Sequence, residues 1–590
     1  MYSEYEIRQL PLSISRYRQM VEQFLATNGL RLDEVDYYAG VFRLGGDELL
    51  AGGGLCGNII KCIAVDSSLR DEGMGNRLVS HLISLANERG FSNVKLFTKP
   101  ENRTIFESLS FRMLAESPKA ILMETGTSGL DTYLAYLRSY SNRFEEYGKV
   151  LQHPYTGVIV MNANPFTRGH RYLVEQAVVQ VDTLYVIVVR ENRSTFTYDD
   201  RLAMVREGCK GLPDVVVLEG SDYAISSATF PTYFLKQLSD ASDTQITLDL
   251  DLFARHIAPA LGATMRFVGN EPTDALTARY NELMRQQLPQ RGIEVVQIDR
   301  LCHQGVPVSA TLLRQSMEND TFSQTLQQAY HSSIPYIIAR LASQALQKEL
   351  DTTPKPGLVD RHDSGAHRDM DYDLMRSSIR ALHPYFVRIS LLGYADALPS
   401  VDDLRTIGLE AEQAMLRATK GVNTHKGGLF SMGLAVTAAA HAAHKGREIR
   451  RRELQNTIRQ IANLFPTATG THGSRVQQVY SVKGALDNAR NGYRQLFSDW
   501  IDFYDDHQGD PYIMQKTLLQ IMSQIDDTNI YYRAGETTAR QAKREAADLL
   551  ADFSEQGLIH LNDEYIDRNI SPGGAADMLA LTVFIYSMLR

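Results

Sequence analysis

A chain of 590 residues exceeds what one hydrophobic core spans, so three or four domains are expected. Its 44% hydrophobic and 22% charged residues exclude a disordered chain, and a formal charge of −9 with a pI near 6.0 excludes a generic nucleic-acid coat while leaving room for local anion pockets. Cys56, Cys62, Cys209 and Cys302 form no CxxC pair, no basic-then-apolar leader opens "MYSEYEIRQLPLSISRY", and runs such as "LYVIVV" are strand-length. A cytoplasmic protein without membrane spans or bound nucleic acid is the expectation.

Residues 1–128 read as short strands around a helix. "GDELLAGGGLCGNIIKCIAV" alternates and is punctuated by glycine, which predicts a hairpin leading into a strand. "DSSLRDEGMGNRLVSHLISLANERG" then turns to helical periodicity, with Leu78, Leu82 and Leu85 on one face, and "NVKLFTK" predicts the next strand. Arg70, Gly73 and Gly75 stand in Arg-x-x-Gly-x-Gly spacing where the helix opens, a place where successive amides can wrap a pyrophosphate. This loop resembles that of the GNAT acetyltransferases, as does the later "IFESLSFRML". The resemblance implies an α+β GNAT-like fold and an acyl-CoA pocket. It assigns no general acid or base, and a docking domain that transfers nothing fits the same residues. "TSGLDTYLAYLRSYSNRFEEYGK" reads as a polar, tyrosine-rich helical connector.

Residues 150–332 alternate strands and helices, "TGVIVM", "HRYLVEQAVVQ", "TLYVIVV", then "PDVVVLEG", "MRFVGN" and "GIEVVQID", which predicts a doubly wound parallel α/β sheet. After the first strand comes "NANPFTRGH". Asn164 and Pro165 shape a turn, Phe166, Thr167 and Arg168 follow, Gly169 permits close backbone approach, and His170 falls in the first turn of a helix. An anion there gains from free amides and the helix dipole, and an imidazole can steady the oxygens of a phosphoryl group under attack. "VSATLLRQSMEND" puts Ser309 and Thr311 at a helix start with Arg314 one turn in, a second anion site suited to departing pyrophosphate. Arg190 and Arg193 lie past a strand end.

Thr167–His170 is similar to the (H/T)xGH signature of nucleotidyltransferases, and Ser309–Arg314 to their second signature. With Phe267–Asn281, which includes Gly269, the set closely resembles [citrate (pro-3S)-lyase] ligase. That resemblance implies a Rossmann-like domain using ATP and Mg²⁺ to adenylylate acetate. The acetyl group would then pass to the prosthetic-group thiol of the citrate lyase acyl carrier protein. His170 would act at the α-phosphate, with Ser309 and Arg314 at the β/γ end.

Residues 335–590 read as mostly helical, with loops dense in Gly, His, Asp and Lys. "DTTPKPGLVDRHDSGAHRDMDYDLM" carries Lys355, Arg361, His367, Asp369 and Asp371. "ATKGVNTHKGGLFSMG" carries Asn423, His425 and Lys426. "TATGTHGSRV" has His472 and Arg475, "SQIDDTNIYYRAG" has Asp526, Asp527 and Arg533, and "ISPGGAADMLA" has Asp577. Gly-rich basic loops can hold phosphates, and paired carboxylates can hold Mg²⁺. Singly, each Asp is more often an N-cap and each His a solvated loop residue. "TPKPGLVDR", "GAHRDMD", "NTHKG", "THG" and "SPGGAADML" resemble triphosphoribosyl-dephospho-CoA synthase. The resemblance implies joining of the ribose C1 of ATP to the 2′-hydroxyl of 3′-dephospho-CoA with loss of adenine. Glycosyl transfer calls for carboxylates, so Asp369, Asp371, Asp526 or Asp527 are expected to hold Mg²⁺ or activate the hydroxyl. Lys355, Lys426 and Arg475 are expected on the triphosphate, with His425 beside them.

Both implied reactions serve one cofactor, so the expectation is a bifunctional enzyme of citrate lyase maturation. Two other readings fit the residues. One is a nucleotide- or CoA-sensing regulator without chemistry, and the other a pantetheine-type adenylyltransferase fused to an unrelated helical domain.

Overall fold

The computed structural model describes residues 4–69, 73–127, 129–146, 155–191, 194–223, 239–271, 274–319, 321–446, 448–467 and 472–590. The chain divides into two compact units, Met1–Asn164 with Gly169–Pro307 and Pro165–Arg168 with Val308–Arg590.

The first unit holds two large sheets and a two-stranded ribbon of Cys302–His303 and Val306–Pro307. Strands β1 (Tyr5–Gln9), β2 (Tyr37–Arg43), β3 (Ala51–Cys56), β4 (Ile59–Val65), β5 (Asn93–Thr98), β6 (Arg112–Glu116) and β7 (Ile121–Gly126) form a seven-stranded sheet in the order β1-β2-β3-β4-β5-β7-β6. β1 to β4 are an antiparallel meander, and β4 pairs parallel with β5 only at Ile59–Lys95 and Ile60–Leu96. The glycine run in β3 has a packing cause. A Cβ on Gly52 would meet the Tyr38 hydroxyl at 2.5 Å, and one on Gly53 would meet Leu82 of the Met74–Glu88 helix at 3.1 Å. Both faces of the strand are therefore covered at close range by large side chains.

The second sheet is all parallel. Strands β8 (Thr156–Met161), β9 (Thr183–Val188), β10 (Val215–Glu219), β11 (Met265–Gly269) and β12 (Glu294–Ile298) stand in the order β10-β9-β8-β11-β12. β9 is buried along its whole length, as a strand covered on both faces must be. The two sheets share one apolar core. Leu10, Tyr38 and Leu122 belong to the same buried cluster as Val158, Ile187 and Leu283. The Leu130–Glu146 helix, expected as a connector, adds Leu130, Leu134 and Leu137 to that cluster.

The second unit is helical, and its described residues add only an isolated bridge between Thr167 and Ala329. Lys426–His444 and Gly573–Leu589 are buried almost all round, which is why their sequences are apolar on every face. Gly393 lets the Tyr372–Gly393 helix approach the first of them, since a Cβ there would lie 2.9 Å from the Thr437 carbonyl. Among the described residues no helix is long and apolar enough to cross a membrane.

Candidate active sites

In the first unit, β8 ends where the strand order reverses, with β9 on one side and β11 on the other, the place where open α/β sheets bind ligands. The loop after β8 is fixed from behind by Arg201, a fully buried guanidinium. Its Nη1 donates to the Asn162 carbonyl and Oδ1, both at 2.6 Å, and to the Val189 carbonyl at 2.9 Å. Its Nη2 donates to the Glu191 carbonyl at 2.9 Å. Burial lowers the pKa of this group. Asn164 is buried and accepts from the Phe196 amide at 3.1 Å, and Ala163 between the two asparagines has a positive φ of 48°. Gly169 and His170, both partly exposed, then open the Arg168–Val178 helix.

At the neighbouring strand end, Asn281 Nδ2 donates to the Gly269 carbonyl at 2.9 Å, and the α-carbon of Gly269 faces open space. Arg300 Nε donates to the Asn270 carbonyl at 2.7 Å, and its Nη2 pairs with Glu271. The exposed Arg190 stacks over Tyr198 at 4.7 Å. Arg70 and Arg193 lie outside the described residues. Gly73 takes a left-handed φ of 72° ahead of the Met74–Glu88 helix, and Gly75 stands in its first turn.

In the second unit, Phe166 is fully buried edge-on against Tyr330, and its carbonyl accepts from Ser333 Oγ at 2.6 Å. Thr167, 1% exposed, bridges Ala329, whose carbonyl also accepts from Arg168 Nε at 3.2 Å. Gln328 takes the Ser309 amide at 3.1 Å, so Thr167 and Ser309 flank one short segment. Ser309 caps the Ala310–Glu318 helix by accepting from the Leu312 amide, and Arg314 Nη2 donates to Thr311 Oγ1 at 3.1 Å. Burial lowers the pKa of Arg314.

The second unit also encloses a cavity of about 990 Å³. Lys355, Asp369, His425, Lys426, Asp526 and Asp527 line it, together with Asp577. Asp371 does not; it caps the Tyr372–Gly393 helix, accepting from the Leu374 amide at 2.8 Å. The Arg475 side chain lies outside the described residues.

The expected phosphate-binding cations carry partners. Lys355, 1% exposed, donates to Glu349 Oε1 at 2.5 Å and to the Glu349 carbonyl at 2.8 Å. Lys426 pairs with Glu412 at 2.5 Å. The "GAHRDMD" loop docks through His367, whose Nε2 lies 2.7 Å from Ser571 Oγ and whose Nδ1 faces Arg533; burial first and then Arg533 lower its pKa.

Both Gly-Gly helix starts receive a carboxylate of the protein itself. Asp527 takes the amides of Asn529 and Ala575, each at 2.9 Å, and a Cβ on Gly574 would touch its Oδ2 at 3.0 Å. Asp577 presses on the start of the Lys426–His444 helix. A Cβ on Gly427 would overlap its Oδ2, one on Gly428 would lie 2.8 Å from Oδ1, and the Gly428 amide bonds it. Burial raises both carboxyl pKa values, Asp527 to about 6 and Asp577 well above the ordinary range, with Glu349 and Asp527 adding to the second. His425 is 3% exposed. Its Nδ1 lies 2.8 Å from Ser378 Oγ, Nε2 has no partner, and burial with Lys355 nearby holds its pKa down at about 4.

A resident metal is a poor match for these donors. Asp527 is committed to amides, Asp526 pairs with Lys543 at 2.9 Å, and among the described residues no trio of His, Cys, Asp or Glu is placed to hold an ion. Sequence reasoning passed over Glu349 and Tyr493 on the cavity wall and Arg201 behind the first loop. Their signals, a helix-end Glu six residues before Lys355, a Tyr in the connection after the Ala485–Arg490 helix and an Arg inside the Tyr198–Cys209 helix, do not stand out from ordinary surface positions.

Residues 156–337 match the citrate lyase ligase C-terminal domain family, and residues 335–590 match the ATP:dephospho-CoA triphosphoribosyl transferase family. The chain is 41% identical to the [citrate [pro-3S]-lyase] ligase of Escherichia coli K12 over 316 residues, 52% of this chain and 87% of that protein. It is 37% identical to the 2-(5''-triphosphoribosyl)-3'-dephosphocoenzyme-A synthase of Pectobacterium atrosepticum over 265 residues, 42% of this chain and 88% of that protein. Among solved structures, an acyl-CoA N-acyltransferase chain from Klebsiella pneumoniae aligns with 21% of this chain and 97% of its own, at 16% identity and a TM-score of 0.18. The chain belongs to the citrate lyase ligase family in its first half and to the triphosphoribosyl-dephospho-CoA synthase family in its second.

Proposed function

We propose that this one polypeptide carries out two maturation steps for citrate lyase. In the first, ATP adenylylates acetate, diphosphate leaves, and acetyl-AMP acetylates the prosthetic-group thiol of the citrate lyase acyl carrier protein, releasing AMP. Asn164, Gly169, His170 and Gly269 lie at the strand ends suited to the nucleotide. Thr167, Ser309, Thr311 and Arg314 supply the hydroxyls and guanidinium for the leaving phosphates. His170 would bear on the α-phosphate as charge develops there.

In the second, the 2′-hydroxyl of 3′-dephospho-CoA displaces adenine from the ribose C1 of ATP, giving 2′-(5″-triphosphoribosyl)-3′-dephospho-CoA. The carrying observation is the large cavity onto which separate loops of the second family's signature converge. Mg²⁺ would enter on the triphosphate and keep most of its water, as is usual for that ion, with the exposed Asp369 as a rim carboxylate. The GNAT-like portion would offer a site for a CoA-type arm at Gly73 and Gly75. A cytoplasmic location accords with these substrates.

The test is product chromatography on the full-length protein. Incubation with ATP, dephospho-CoA and Mg²⁺ should yield free adenine, and incubation with ATP, acetate and deacetylated carrier protein should yield AMP. His170→Ala should cut AMP formation at least ~100-fold, the range for losing a transition-state donor, and leave the adenine peak intact. A wild-type chain giving neither product would support the sensor reading. Acetate-independent adenylyl transfer would support the pantetheine-type one.

A further inference from the structure

The start of the Lys426–His444 helix gathers two groups that the proposed transfer needs, one expected from sequence only beside the triphosphate and one given no role there. His425 stands at its N-cap position, and the Asp577 carboxyl, from the Gly573–Leu589 helix, sits on Gly427 and Gly428 one and two residues into it. Both line the cavity. The placement is built: only glycine leaves room for the Asp577 oxygens at residues 427 and 428, and the imidazole is oriented by Ser378, itself a hydrogen-bond acceptor from Thr424 Oγ1 at 2.7 Å. The Nε2 of His425 is buried at the cavity wall with no protein partner, a costly state unless a ligand group meets it.

We infer that Asp577 is the proton donor to the departing adenine and His425 the proton acceptor from the attacking 2′-hydroxyl, an assignment that rests on the synthase reading above. The C1–N9 bond of ATP breaks with its electron pair leaving on the purine, and the Asp577 carboxyl proton passes to a ring nitrogen. The hydroxyl oxygen bonds C1, and its proton passes to His425 Nε2, which is open to it in the tautomer whose Nδ1–H donates to Ser378 Oγ. One proton enters adenine and one leaves the alcohol. After product release, His425 loses its proton to water and Asp577 regains one.

The resting charge states suit these directions. Burial, and then Glu349 and Asp527 nearby, favour the protonated form of Asp577, whereas burial and then Lys355 keep His425 neutral. Environments that push two groups apart in this way mark acid and base partners.

The experiment compares two donors in the full chain with dephospho-CoA as acceptor: ATP, and a 4-nitrophenyl β-riboside 5-triphosphate, whose leaving group departs without protonation. Asp577→Asn should lower turnover with ATP about 100-fold or more, the usual scale for general-acid loss, and turnover with the nitrophenyl donor less than about 10-fold. His425→Gln should lower both alike. Equal losses of Asp577→Asn with the two donors, or none with ATP, would overturn the acid assignment. Wild-type turnover in His425→Gln would overturn the base. If Asp577→Asn melts lower than wild type, Gly427→Ala reads the same donor ratio by crowding the carboxyl from the other helix. A wild-type chain that releases no adenine refutes the synthase reading itself, whereas wild-type turnover with an unchanged donor ratio refutes only the proton assignment.

Discussion

His425 is stabilised as an uncharged ring, and the sign of its effect on stability follows. Its pKa is about 4 when folded against an ordinary value of 6.5, so the unfolded chain binds the proton more tightly. The stability it allows is present above pH 6.5 and lost as pH falls towards 4. Asp527 runs the other way. Raised to about 6 from 3.8, its contribution is fully present below pH 3.8 and lost as pH rises through 6. The two titrations oppose one another between pH 4 and 6, which masks each in the whole-protein profile. His425→Gln removes one of them. From pH 7 to pH 5 its stability relative to wild type should improve by about 2 kcal/mol, the linkage value for that shift, read as a rise in the melting-temperature difference. A difference that stays flat would mean the imidazole is not held neutral.

The loop after β8 illustrates what an element needs beyond its own sequence. "NANPFTRGH" announces a turn and a helix start, but its shape depends on Arg201, 31 residues after His170, donating to carbonyls at the ends of β8 and β9. Arg201→Leu removes these charge-assisted hydrogen bonds, each worth roughly 1.5–3 kcal/mol. Acetate-dependent AMP formation should fall and melting temperature should drop, while adenine release stays; a fully active, equally stable variant would show the staple is dispensable. The strands themselves could be read from "TGVIVM" and "LYVIVV", because apolar runs between helices have few other uses. The Gly-Gly pairs could be read only halfway. Sequence marks a helix start with space for an anion, but in the structure Asp527 and Asp577 press on those starts, and carboxylates 47 and 150 residues away from Gly574 and Gly427 are beyond the reach of local patterns. Lys355 is similarly visible as a cation in a Pro/Gly-rich loop and invisible as the partner of Glu349.

At the scale of the molecule, periodicity located three stretches of different character, but it could not tell a linker from a core helix. Tyr133, Tyr136 and Ser141 make the Leu130–Glu146 helix look polar. In the structure those groups bond to the Glu219 carbonyl, the Glu219 amide and the Ala260 carbonyl, while Leu130, Leu134 and Leu137 are buried. Glu124 of β7, 1% exposed, ties the same region together through Asn93 Nδ2 at 2.8 Å, the Leu130 amide at 3.3 Å and the Tyr223 hydroxyl. Lys95 of β5 reaches Asp222 at 2.6 Å. A single core of this kind should not survive loss of half its walls, because the apolar faces left behind would be open to water. Deleting residues 1–128 should therefore abolish acetate-dependent AMP formation, although none of the nucleotidyltransferase signature is removed. Adenine release should persist, since the helices around the synthase cavity bury their own core. Both products are measured on one preparation, so the retained activity certifies that the shortened chain is present and that its helical unit is folded. Full ligase activity after the deletion would mean that the seven-stranded sheet is a passenger rather than half of the first unit's core.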